Sequence, residues 1–127
     1  MTGEPTQASG SGSAAGCAIE QRHIGAVCVV SVSGTLDMLT APQLDAVLTA
    51  AARRTDAVVI VDLSAVDFLA SAGMGVLVAA HAELEPGVRL VVVADGPATA
   101  RPLKLVGIAD LVELFATLDQ ALAAVAA

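Results

Sequence analysis

The stretch Asp67-Phe68-Leu69-Ala70-Ser71-Ala72-Gly73-Met74-Gly75 carries one hydroxyl among small residues, between a β-prone run ending at Leu63 and an apolar helical run through Leu84. Ser71 is expected near the N-cap of that helix, where unpaired backbone N–H groups and the positive end of the helix dipole favour an anion. A phosphoryl group on Ser71 would add roughly -1.5 to -2 charge and three acceptor oxygens beside Asp67, repelling an acidic or tightly fitted partner. The plainer role is that of a helix cap, worth about 1 kcal/mol. Gly73 and Gly75 each cost about 1 kcal/mol against Ala inside a helix, so something must compensate. A close approach of a ligand, of another backbone or of the domain's own sheet would do so.

No other constellation supports chemistry. His81 follows Ser71 by ten residues on the same predicted helix, about 15 Å along its axis, too far to form a triad with Ser71 and Asp67. A phosphoryl-aspartate or Mg site would need an acidic cluster and a positioned Lys, but the single Lys is Lys104 and Asp62, Asp67 and Asp95 stand apart. No phosphate-binding glycine loop precedes a Lys, and Cys17, Cys28, His23 and His81 have no metal-like spacing. No catalytic group, cofactor or metal is therefore expected.

The elements that must position Ser71 are an alternation of strands and helices. Residues 1–16 are rich in Gly, Ser, Thr and Ala and read as a disordered tail; residues 17–127 read as one domain. Ala18 to His23 and Ala26 to Ser33 form a predicted hairpin about Gly25. Thr40-Ala41-Pro42 starts a helix, with Thr40 able to cap and Pro42 tolerated in the first turn, and Arg53-Arg54 closes it. Ala57 to Leu63, apolar on both faces, is a buried central strand, and Val88 to Ala94 is a second. Ala98 to Val106 reads as a helix stopped by Gly107, Asp110 to Phe115 holds a short strand, and Thr117 to Gln120 has capping-box spacing for a helix to about Val125. The fold class is α/β: a mixed sheet of about four to five strands with an opening antiparallel hairpin, packed by about four helices.

Composition narrows the partners. Six basic against thirteen acidic residues give a formal charge of -7, which disfavours nucleic acid and anionic membrane surfaces. With two Phe and neither Tyr nor Trp, the chain lacks aromatic platforms for bases. No apolar stretch nears the roughly 20 residues of a membrane span, and Met1 to Gly16 has no signal-peptide pattern, so a cytoplasmic location is expected.

The run from Val59 through Asp62-Leu63-Ser64-Ala65-Val66-Asp67-Phe68-Leu69-Ala70-Ser71-Ala72-Gly73-Met74-Gly75 to Leu77 resembles the signature of STAS domains of anti-sigma factor antagonists, DLS-x-V-x-F-x-D-S-[ST]-G-x-G-x-L. Gly34-Thr35-Leu36-Asp37 with Thr40-Ala41 resembles that family's first loop and helix start, and Leu105 to Ile108 with Leu118 to Leu122 its C-terminal end. The resemblance implies partner switching: the unmodified antagonist binds an anti-sigma factor that is also a serine kinase, freeing a sigma factor. Phosphorylation of the signature serine by that kinase breaks the complex, and a phosphatase restores it. Carried over, Ser71 is the phosphoacceptor, and Asp37, Thr40, Ala70, Ser71, Ala72, Gly73 and Met74 form the docking face. The sequence departs from the pattern at Ala70, where Asp is usual, and at Ala72, where Ser or Thr is usual; the first change removes an acceptor beside Ser71. A nucleotide or other small ligand held at Ala72-Gly73, or a subunit role in a transport complex, are the alternative functions.

Overall fold

The computed structural model describes residues 11–14, 16–53, 58–84 and 87–126, without the side chains of residues 11–14 and 52. Six strands form one sheet in chain order: β1 (Ser11–Ala14), β2 (Cys17–Ile24), β3 (Val27–Leu36), β4 (Val58–Leu69), β5 (Arg89–Val93) and β6 (Glu113–Phe115). β1, β2 and β3 pair antiparallel, and β3 through β6 pair parallel. Among the described residues there are four α-helices, α1 (Ala41–Ala52), α2 (Ser71–Leu84), α3 (Ala100–Leu105) and α4 (Leu118–Ala126), and a 3-10 turn at Ile108–Asp110.

The mixed sheet, the opening hairpin and the four helices agree with the sequence reading. The sheet has six strands where four to five were expected, because β1 occupies residues 11–14 of the segment read as a disordered tail. That strand needs no apolar side chains of its own, since its backbone pairs with a ready edge, Ser11 opposite Glu20 and Ala14 opposite Cys17. Residues 1–10 of that segment, and Arg54 at the predicted close of the first helix, lie outside the described residues.

The core divides by sheet face. On one face Cys28, Val30, Val32, Val59, Val61 and Leu63 pack under α1, α2 and α3 through Leu44, Leu48, Leu77, Ala80 and Leu103. On the other, Val29, Ile60, Val91 and Val93 lie against Ala121, Leu118 and Leu122 of α4. This double coverage explains why Val58 to Val61 of β4 and Leu90 to Val93 of β5 read as unbroken apolar runs. Each such Val or Leu removed from water contributes about 1.5–3 kcal/mol against leaving it exposed.

β4 continues to Leu69, six residues beyond the strand end expected at Leu63. Its pairing with β3 slips twice, between Ser31 and Ser33 and again between Gly34 and Thr35, and each time β4 carries one extra residue. Asp62 seeds the first slip: its carboxylate accepts from the Ser64 backbone N–H at 3.0 Å and the Ser64 hydroxyl at 2.6 Å. Every extra residue reverses the alternation of side chains. Leu63, Val66 and Leu69, three apart, therefore all point into the same core, and Asp67 and Phe68 are left exposed.

Candidate functional site

The C-terminal ends of β3 and β4 and the start of α2 meet at one end of the sheet. Leu36 pairs with Leu69, and the next backbone N–H, that of Ala70, donates to the Leu36 carbonyl at 2.9 Å. β3 reaches this end beside the β1–β2 turn, where Thr35 N–H donates to the Gly16 carbonyl at 2.5 Å. Gly34 permits the approach: it has φ +88°, and a Cβ there would lie 2.0 Å from the Gly16 carbonyl oxygen.

Ser71 is exposed on the first helical residue of α2. The N-cap position expected for it belongs to Ala70, whose carbonyl accepts from Gly73 N–H at 3.0 Å and Met74 N–H at 3.1 Å. The Ser71 hydroxyl is thus not committed to capping, and it projects beside the electropositive end of a 14-residue helix. Ala70, Ala72 and Met74 are half-buried around it, while Gly73 is buried. The compensation sought for Gly73 is the domain's own sheet, because a Cβ at Gly73 would meet Leu36 and Leu69 side chains at 2.8–3.0 Å. Gly75 is different. It is exposed and a Cβ there would find nothing within 4 Å.

The loop from β3 to α1 forms the second side of the site. The Asp37 carboxylate accepts from the backbone N–H of Leu39 at 2.9 Å and of Thr40 at 3.2 Å. Thr40, 1% exposed, holds the N-cap position of α1, but its hydroxyl makes no capping bond. It donates instead to the Thr35 carbonyl at 2.8 Å and accepts from Asp37 N–H at 2.9 Å. Asp37 and Thr40, both expected on a docking face, thus shape the loop, with Thr40 buried and Asp37 half-buried. Burial pushes the Cys17 thiol up from its ordinary value, and the nearby Asp37 charge adds to this against a hydrogen bond with Thr40.

What that shaping presents are Met38 and Leu39, 77% and 82% exposed, with Phe68 at 55% on the neighbouring strand. Sequence reasoning missed all three. Phe68 is set opposite Thr35, whose hydroxyl donates to Asp67 at 3.4 Å. Two adjacent apolar residues inside an otherwise loop-like Asp37–Thr40 segment were the signal available for the first pair.

The remaining candidates do not join this site. His81 sits half-buried near the far end of α2, and among the described residues no group of three His, Cys, Asp or Glu could hold a metal ion. Cys17 pairs with Gly34 and Cys28 with His23, so six residues of β3, ~20 Å of extended chain, separate them. That distance excludes a disulfide between these two buried thiols within the fold. No helix among the described residues is long and apolar enough to cross a membrane.

A mixed sheet whose central parallel strand delivers an exposed serine to a helix start, beside a hydrogen-bonded loop that exposes Met38 and Leu39, defines the site. The chain belongs to the STAS domain family, whose model matches residues 18–121. It is 36% identical over 99 residues to the anti-sigma-F factor antagonist RsfB of Mycobacterium tuberculosis, covering 78% of this chain and 81% of that protein. It is similar to the crystal structure of an anti-sigma factor antagonist from Mycobacterium paratuberculosis, with 40% identity, TM-score 0.84, and 87% and 95% of the two chains covered. The Bacillus protein SpoIIAA in its phosphorylated form shares the fold at 20% identity and TM-score 0.66, over 84% of this chain and 98% of that one.

Proposed function

We propose that this protein is an anti-sigma factor antagonist acting in the cytoplasm: it binds a serine-kinase-type anti-sigma factor, releases a sigma factor and is switched off by phosphorylation of Ser71. It acts by docking and not by catalysis. The observation that carries the reading is the exposed Ser71 hydroxyl on the first turn of α2, free of the capping role that would explain it otherwise. The names of the relatives at 36% and 40% identity support the same role.

A kinase that bonds to the Ser71 hydroxyl finds it flanked by Ala70, Ala72 and the exposed Gly75, so that its own backbone can lie close. Transfer places a dianion of about -1.5 to -2 charge where the complex is packed, with the Asp67 carboxylate exposed on the same end of the sheet. Removing that charge from water breaks the contact, and a phosphatase resets it.

Incubation of the cognate anti-sigma factor and a γ-labelled nucleoside triphosphate with wild-type protein and with Ser71→Ala tests the assignment, the diphosphate being the leaving group. Label on the wild type and none on the variant is expected; equal label on both overturns it.

A further inference from the structure

We infer that a second copy of this chain docks on the exposed face formed by the end of α3 and the 3-10 turn that follows it. Leu105, Val106 and Leu111 of one copy pack against the same residues of the other, and Lys104 of each copy faces Asp110 of the other across a two-fold axis.

The face is apolar and held in place. Leu105 is 74% exposed, Val106 59% and Leu111 56%; together they present roughly 300 Å² of apolar surface, a size at which surface patches are often functional. Val106 N–H donates to the Pro102 carbonyl at 3.1 Å, Gly107 N–H to the Lys104 carbonyl at 3.2 Å and Leu111 N–H to the Ile108 carbonyl at 2.9 Å. Beneath the turn Leu103, Ile108 and Val112 are buried in the core. A surface fixed in this way before binding loses little entropy on docking.

The face lies at the opposite end of the sheet from Ser71. β5 and β6 pair parallel, so the crossover through α3 returns the chain to the start of β6, two residues after Leu111. Ser71 follows the far end of β4, a strand of 12 residues whose first, Val58, pairs with Arg89 at the start of β5. The two surfaces are therefore about 30 Å apart along the sheet.

Charge selects the occupant. The chain carries -7 overall, so two copies attract each other only through a face that offers cations. Exposed Lys104 stands on one side of the apolar residues, with Arg101 one turn behind it, and exposed Asp110 on the other. None of the three has an ion-pair partner among the described residues. An isologous contact sets one residue against a second and the second against the first. A cation and an anion on opposite sides of an apolar centre meet that requirement twice, whereas a partner of single sign would be repelled by one of them. The apolar area, well below the roughly 800 Å² per copy of a stable interface, makes the pairing weak and reversible, and both Ser71 ends stay open in the pair.

Sedimentation velocity of the full chain from about 5 µM to about 1 mM, in about 0.15 M salt, tests the pairing. The sedimentation coefficient should climb with concentration, and Leu105→Ser with Leu111→Ser should hold it at the monomer value without moving the urea midpoint. Lys104→Glu and Asp110→Lys should each weaken pairing about tenfold, since each sets like charges together at two points of the contact. Mixing these two variants in equal amounts should restore pairing to within about threefold of wild type, because the mixed pair is attractive at both points. Wild-type protein that stays monomeric throughout overturns the proposal, as does a mixture that pairs no better than its components. A face covered only by an acidic protein of the source organism, without self-pairing, overturns the second copy as its occupant. Ser71→Glu should pair as wild type does, and none of these measurements involves an anti-sigma factor, so the proposed function stands or falls separately.

Discussion

Gly73 and Gly75 lie two residues apart on the same helix, yet alanine should have opposite effects at the two positions. In the helix interior either substitution gains about 1 kcal/mol of propensity. At Gly75 nothing stands within 4 Å of the new methyl group and the position is exposed, so the gain is kept. At Gly73 the methyl would lie 2.8 Å from Leu36 Cγ, 2.9 Å from Leu36 Cδ2 and 3.0 Å from Leu69 Cδ1. Leu36 is 0% exposed and Leu69 6%, so neither side chain has solvent to move into, and overpacking of this kind costs about 1–3 kcal/mol. The net for Gly73→Ala is a loss of about 1 kcal/mol, and the two variants should differ by about 2 kcal/mol. Urea unfolding at neutral pH reads this directly. With a slope of about 1–2 kcal/mol/M, the Gly73→Ala midpoint should fall by about 0.5–1 M and that of Gly75→Ala should rise by a similar amount, at unchanged slope. A Gly73→Ala protein as stable as Gly75→Ala would refute the packing argument and return Gly73 to the partner's side of the surface.

Ala70→Asp should stabilise the free protein by about 1 kcal/mol, because the N-cap of α2 now has no side-chain acceptor for its orphan N–H groups; a urea midpoint that does not rise speaks against Ala70 as the cap. The Arg89 guanidinium, bonded to both Glu113 carboxylate oxygens, holds that carboxyl below the ordinary Glu value. A carboxyl depressed on folding stabilises the protein above its unfolded pKa and loses that contribution as pH falls through the folded value. Since both side chains are more than a third exposed, the effect is limited to roughly 0.2–1 kcal/mol. Urea midpoints followed downward from pH 5 should show a shallower decline in Glu113→Gln than in wild type, and identical slopes would remove the pair from the pH dependence.

Much of the architecture was legible because burial on both faces leaves a strong trace. Val58 to Val61 and Leu90 to Val93 are apolar runs within strands, and Thr117, predicted to cap the last helix, accepts from Gln120 N–H at 3.1 Å. β1 escaped notice because Ser11, Gly12, Ser13 and Ala14 carry no hydrophobic pattern, and their backbone pairs with β2.

At the site, residue types revealed Ser71 and its small neighbours, since one hydroxyl between a buried strand and an apolar helix is a pattern in one dimension. Which side chains face outward beside it was decided by packing. Two extra residues in β4 reset the alternation so that Phe68 is exposed while Leu69 is buried, and a pairing slip between strands 32 residues apart leaves no period in the chain to read. The same holds for the loop. Asp37 and Thr40 have the chemistry of contact residues, but three-dimensional closure buries Thr40, ties one Asp37 carboxylate oxygen to the Leu39 and Thr40 backbone N–H groups, and leaves the apolar Met38 and Leu39 in water.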